Sequence, residues 1–68
     1  MHGENQAIQI AMWYVEIQFV SGPTFSVRVK ATAKESAESQ AVLDARVMGF
    51  TNRIKKIITR AENDHQKA

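Results

Sequence analysis

The chain reads WYVEIQF at residues 13–19 and FSVRVKA at residues 25–31. In both stretches every odd-numbered residue is apolar, and the second stretch places Ser, Arg and Lys between them. A period of two indicates β-strands with one face on a core and the other in water. Only a short segment containing Gly22 and Pro23 separates the stretches, which predicts an antiparallel hairpin.

The parity of the two strands restricts the hairpin loop. Directly paired residues lie on the same face, so odd-numbered residues must pair with odd-numbered residues and the loop must contain an odd number of residues. A three-residue loop at residues 21–23 pairs Phe19 with Phe25 and Ile17 with Val27. A five-residue or bulged loop is the alternative.

The residues before Trp13 alternate with the opposite parity, since Ile8, Ile10 and Met12 are apolar. Either the first strand begins near Met12, or a bulge near residues 11–13 reverses the faces. In a reversed segment, Ile8 and Ile10 would lie opposite the core, where a partner could bind.

A capping box and an apolar stripe predict a helix after the hairpin. Residues 32–35 match the capping box, with Thr32 as the N-cap and Glu35 reaching back to its amide. The stripe that follows is mostly alanine, so the helix can lie close to a sheet, and Leu43 and Val47 widen it on one side. Its members are Ala33, Ala37, Ala41, Ala45 and Met48.

The end of this helix is better defined than the segment after it. Gly49 predicts the left-handed residue that ends the helix, and Phe50 the apolar contact that follows. Residues 53–62 fit a strand rich in β-branched isoleucine or an amphipathic helix with Thr51 as its cap. The strand is preferred and gives an α+β domain of order ββαβ, in which one helix covers one face of the sheet. If residues 53–62 form a helix instead, the order of elements is ββαα. A right-handed crossover places the third strand antiparallel to the first if the two are neighbours.

Size and composition exclude several classes of protein. We expect one domain at residues 8–62 and flexible ends at residues 1–7 and 63–68. Without cysteine, disulfides, thiol catalysis and cysteine zinc sites are excluded, and a cytoplasmic location is expected. The polar residues 1–6 lack the apolar segment of a secretory signal, and no apolar run approaches the roughly 20 residues of a membrane span, so we expect neither a signal nor a span. A domain this small often needs a partner subunit, so a homodimer is one expectation.

No arrangement typical of an enzyme is present. His2 and His65 lie in the two ends, and the three glycines are isolated, so no phosphate-binding loop is formed. Glu35 and Glu38 lie in the first helical turn, where they face the helix dipole favourably. We therefore expect a protein without catalytic residues, cofactor or metal.

The charge distribution suggests a binding function. Between residues 8 and 61, eight basic residues stand against four acidic ones. The hairpin face away from the helix carries Tyr14 and the basic residues Arg28 and Lys30. The third strand adds either Lys55 and Thr59 or Lys56 and Arg60. Bases of single-stranded nucleic acid stack on such rings while cations contact phosphates, although ordinary antiparallel sheets also have solvated polar faces. The candidate nucleic-acid-binding residues are Tyr14, Arg28, Lys30, Arg53, Lys55, Lys56 and Arg60.

The alternative is a protein-binding role. Gln40 and Asp44 fall inside the apolar arc of the helix, where a carboxylate is costly unless it is solvated or paired with a base of the last segment. The candidate protein-interface residues are Ile8, Ile10, Met12, Gln40 and Asp44. The sequence thus predicts a small non-enzymatic binding module that contacts nucleic acid or a nucleic-acid-processing machine. The alternative is a protein-binding regulator, inhibitor or assembly adaptor, of the kind that mobile elements encode.

Overall fold

The computed structural model describes residues 10–62, which form three strands and one helix in the order ββαβ. The strands form one sheet of order β2-β1-β3, in which the central strand β1 is antiparallel to both neighbours. The elements are β1 (Ala11–Phe19), β2 (Phe25–Ala31), α1 (Lys34–Val47) and β3 (Ile54–Ala61). The predicted ββαβ fold is confirmed, and the ββαα alternative is wrong because residues 54–61 pair with β1.

The core lies between α1 and one face of the sheet. The fully buried strand residues are Val15 and Ile17, and the helix contributes three alanines at spacings of four. Alanine has only a methyl group, which allows α1 to pack close to the sheet. Among residues 10–62, the buried core residues are Val15, Ile17, Phe19, Val29, Ala37, Ala41 and Ala45.

The prediction that Leu43 and Val47 widen the buried stripe is wrong. Leu43 is 59% exposed, and Val47 is 84% exposed. Successive helical residues turn by about 100°, so Leu43 lies about 200° around the helix from the buried Ala41. Met48 follows the last helical residue and is also exposed.

The hairpin has the predicted parity but a different register. Val15 pairs with Val27, and Ile17 pairs with Phe25, so the predicted pairs are displaced by two residues. Beyond Ile17, the end of β1 pairs with β3 and no longer with β2. There Phe19 pairs with Ile54.

An aromatic ring from outside the hairpin separates the two phenylalanines that were predicted to pair. The centroid of the Phe50 ring lies 5.7 Å from that of Phe19 and 5.1 Å from that of Phe25. The predicted contact between Phe19 and Phe25 is therefore replaced by a contact of each ring with Phe50.

At its beginning, β1 is regular. Ala11 pairs with Ala31, and Met12 pairs with Lys30, so the strand begins near Met12 without a bulge that reverses its faces. The predictions for residues 1–7 and 63–68, with His2 and His65, and for Ile8 lie outside the described residues.

The helix begins one residue later than predicted. Its N-cap is Ala33, with φ −149° and ψ 157°, and no side chain caps it. The first helical hydrogen bond runs from the Ala37 amide to the Ala33 carbonyl. Thr32 is therefore one residue too early to act as the N-cap of the predicted box.

The predicted end of the helix is confirmed. Gly49 has a φ of +100°, in the left-handed region. Its amide donates to the Arg46 carbonyl, and the Phe50 amide donates to the Ala45 carbonyl. These are the two hydrogen bonds of a Schellman motif.

Candidate nucleic-acid interface

The sheet face away from α1, called the open face below, is organised around one row of side chains. Tyr14 on β1 pairs with Arg28 on β2 and with Arg60 on β3. The row places an aromatic ring between two arginines, each on a different neighbouring strand. Of the two predicted alternatives for β3, the structure places Lys56 and Arg60 on the open face.

The ring of Tyr14 is held by contacts on both sides. The guanidinium carbon of Arg60 lies 5.3 Å from the ring centroid, which is within the distance of a cation–π interaction. The Tyr14 hydroxyl donates a hydrogen bond of 3.2 Å to the Ser26 hydroxyl oxygen. Tyr14 and Arg60 thus form one stacked unit, and a guanidinium plane is itself a surface on which nucleobases stack.

Arg28 forms an exposed ion pair at the other end of the row. Its Nε donates to the Glu62 carboxylate, with an Nε–Oε2 distance of 3.0 Å, and the two side chains are 64% and 30% exposed. Exposed pairs of this kind contribute about 0–1 kcal/mol. A phosphate can therefore compete with Glu62 for Arg28 at little cost.

The remaining charges of the open face are unevenly distributed. Lys30 lies on β2 opposite Met12, and Lys56 lies on β3 opposite Gln18, at the other end of β1. Between them stands Glu16, whose carboxylate accepts a hydrogen bond of 3.0 Å from the Gln18 amide. The positive charge is therefore concentrated on Lys30 and the row around Tyr14, and the row Ser26–Glu16–Ile58 separates it from Lys56.

Two predicted nucleic-acid-binding residues are separated from this face. Arg53 precedes β3, and its carbonyl accepts a hydrogen bond from the Val20 amide. Lys55 is the extra residue of a bulge, between Ile54, which pairs with Phe19, and the next paired residue. Both basic side chains are exposed. The bulge divides the sequence cluster at residues 53–60, so the structure brings five of the seven candidates together.

The predicted protein-interface residues lie in different parts of the fold. Ile10 is 68% exposed before β1, and Met12 shares the open face. On α1, the Gln40 amide donates a hydrogen bond of 3.0 Å to the Asp44 carboxylate. Asp44 is thus bonded to a residue one turn earlier, rather than to a base of the last segment.

A groove that the sequence analysis missed lies on the other side of the sheet. It has a volume of about 390 Å³ and is lined by Phe25, Ser26, Val27, Asp44, Val47 and Met48. The sequence indicates that Val47 lies away from the alanine face of α1, because successive helical residues turn by about 100°.

Comparison with known proteins places the chain in no family, because no family model, curated protein or solved structure matches it. Within residues 10–62, no cluster of metal-ligating side chains could hold an ion. The one helix described there is too short and too polar to cross a membrane.

Proposed function

We propose that the protein binds single-stranded nucleic acid on the open face and catalyses no reaction. The observation that carries this proposal is the row Arg28–Tyr14–Arg60. A nucleobase that stacks on the Tyr14–Arg60 unit brings its phosphates within reach of the cations on the outer strands. Stacking on an aromatic platform beside basic side chains is the usual way in which proteins hold single strands.

The shape of the site favours a single strand over a duplex. A sequence-reading protein inserts a helix or a two-stranded ribbon into the major groove of DNA. The open face is instead a three-stranded surface with its aromatic ring on the central strand, so bases must be unpaired to reach it. Glu16 repels the phosphate backbone on one side of the Tyr14 row and so favours a path along Lys30, Arg28 and Arg60.

The protein-binding alternative has less support from this surface. Its candidate residues are divided between the two layers of the fold, since Met12 lies on the open face and Gln40 on α1. The candidates on the open face, in contrast, share one continuous surface.

The test is a titration of a labelled oligothymidylate with the full chain, followed by fluorescence anisotropy over a series of salt concentrations. We expect log K to fall with log salt by about 0.7 per phosphate contact, which gives a slope of about −2 to −3 for three or four contacts. Replacing Lys30 by Ala should weaken binding and reduce the slope.

The control is Lys34→Ala, which removes the same charge from the exposed beginning of α1. This variant should bind as the unaltered chain does. Absence of binding at low salt, or an equal loss in the Lys34 variant, would contradict the proposal.

A further inference from the structure

The large apolar side chains at the end of α1 face outward. Leu43 is 59% exposed, Val47 is 84% exposed and Met48 is 67% exposed. The inner face of the helix carries alanine instead. Contiguous exposed apolar surface of this kind marks an interaction site more often than single exposed residues do.

This apolar surface adjoins an edge of the sheet. Among residues 10–62, β2 pairs with β1 alone, so its other edge is unpaired. The groove described above connects this edge with α1, because Phe25 and Val27 line it from β2 and Val47 and Met48 from the end of the helix. An unpaired edge beside an apolar groove is a template for pairing with another strand.

We propose that the occupant is a second copy of this chain. The two β2 strands pair antiparallel about a two-fold axis, with Val27 opposite Val27 of the partner subunit. The end of α1 in each copy, with Val47 and Met48, then packs against the other across the axis. The result is a continuous sheet of six strands with both open faces on one side. This inference does not depend on nucleic-acid binding.

The charges of β2 select this register. With Val27 on the axis, Phe25 lies opposite Val29 on the helix side, and Arg28 lies opposite Ser26 on the other side. Shifting the axis to Arg28 would place two arginines directly opposite each other, which is unfavourable. Shifting the axis to Ser26 would leave only residues 25–27 of β2 in one subunit paired with the same residues of the partner subunit.

Self-complementarity favours a second copy over a foreign peptide. A two-fold interface uses the same patch on both subunits, and this patch contains both a groove and the protruding Val47 that can enter one. The core of one chain is also small, since Val15 and Ile17 are its largest fully buried side chains. Domains of this size commonly gain stability from a partner subunit.

The first test is the mass of the full chain in solution, measured by light scattering after gel filtration over a range of concentrations. We expect a dimer. Val47→Glu places two carboxylates together at the axis and should raise the dissociation constant by about tenfold or more. Because Val47 is 84% exposed, the subunit should still fold, which circular dichroism checks.

The matched control is Val20→Glu, at an exposed valine in the hairpin loop. This variant should remain a dimer. A monomeric unaltered chain at every concentration, or equal dissociation of the two variants, would overturn the proposal.

The second test measures the register. The chain contains no cysteine, so Val27→Cys and Arg28→Cys each provide a single thiol per subunit. Under a mild oxidant such as oxidised glutathione, Val27→Cys should form the disulfide-linked dimer faster, because directly opposed residues satisfy disulfide geometry and diagonal ones do not. Faster linkage in Arg28→Cys would overturn the Val27-centred pairing.

Discussion

The guanidinium of Arg60 lies over the ring of Tyr14, at 5.3 Å from the ring centroid. The contact exists because β3 pairs with β1 in the register that places these two residues opposite each other. The stacked unit is therefore a product of tertiary pairing. On the same row, Arg28 is held by Glu62, so only one of the two arginines covers the ring.

Arg60→Lys should weaken binding of an oligothymidylate although the charge is kept. Lysine has no planar group on which a base can stack, and stacking contributes about 1–3 kcal/mol per base. We expect a loss of about fivefold or more with an unchanged salt slope. Arg60→Ala should cause a similar loss and also reduce the slope. Anisotropy titrations at several salt concentrations separate the two effects, and wild-type affinity in Arg60→Lys would contradict a stacking role.

The strands of the hairpin could be predicted because their signal is local. The alternation from Trp13 to Phe19 indicates which residues face the core, and it does so without information about residues distant in sequence. Residues 54–61 carry no such signal, because Ile54, Ile57 and Ile58 suit a strand or a helix. Pairing with β1 decides between the two, and that pairing involves residues distant in sequence.

The hairpin register and the shape of the candidate site depend on contacts of the same kind. Phe50 lies far from the hairpin in sequence but packs against both Phe19 and Phe25. The end of β1 pairs with β3, which is also distant in sequence, and no local pattern shows either contact. The bulge at Lys55 likewise arises from the register of β3 on β1. It decides that Lys56 joins the open face, which the sequence left as one of two alternatives.

Ala33→Asp should stabilise the protein. Ala33 occupies the N-cap position with an extended backbone, and no side chain accepts a hydrogen bond from the first helical amides. Asp is among the best residues at this position, and replacing such a cap by alanine costs about 0.5–2 kcal/mol. Introducing Asp at position 33 should therefore raise the free energy of unfolding, measured in urea, by about 1 kcal/mol. Thr32→Ala is the control and should have little effect, since Thr32 does not cap the helix.

Gly49→Ala and Gly22→Ala should both destabilise the fold, for partly different reasons. Both glycines have positive φ, which costs alanine about 1–2 kcal/mol. At Gly49 an added Cβ meets no atom within 4 Å, so the cost is conformational alone. At Gly22 the Cβ would lie 3.2 Å from the Asn52 amide nitrogen, which donates a hydrogen bond to the Ser21 carbonyl.

We therefore expect the larger loss of unfolding free energy in Gly22→Ala, because Asn52 must move by a few tenths of an ångström to admit the Cβ. Asn52→Ala in the Gly22→Ala background measures this directly. If the hydrogen bond is already broken by the added Cβ, the second substitution should cost less than it does in the unaltered chain.

Thr59→Val should destabilise the packing of α1 on β3. The Thr59 hydroxyl donates a hydrogen bond of 2.7 Å to the Glu38 carboxylate, and both residues are half-buried. Valine has nearly the same shape but no donor, so it leaves a partly desolvated carboxylate without this bond, at a cost of about 1–2 kcal/mol. Thr59→Ser keeps the donor and should lose less, while Glu38→Gln keeps an acceptor oxygen without the charge. Urea unfolding of the three variants measures these losses.

Since Thr59 lies on the helix side of the sheet, affinity for an oligonucleotide should not change in any of the three variants. A Thr59→Val variant as stable as the unaltered chain would contradict a stabilising role for this hydrogen bond.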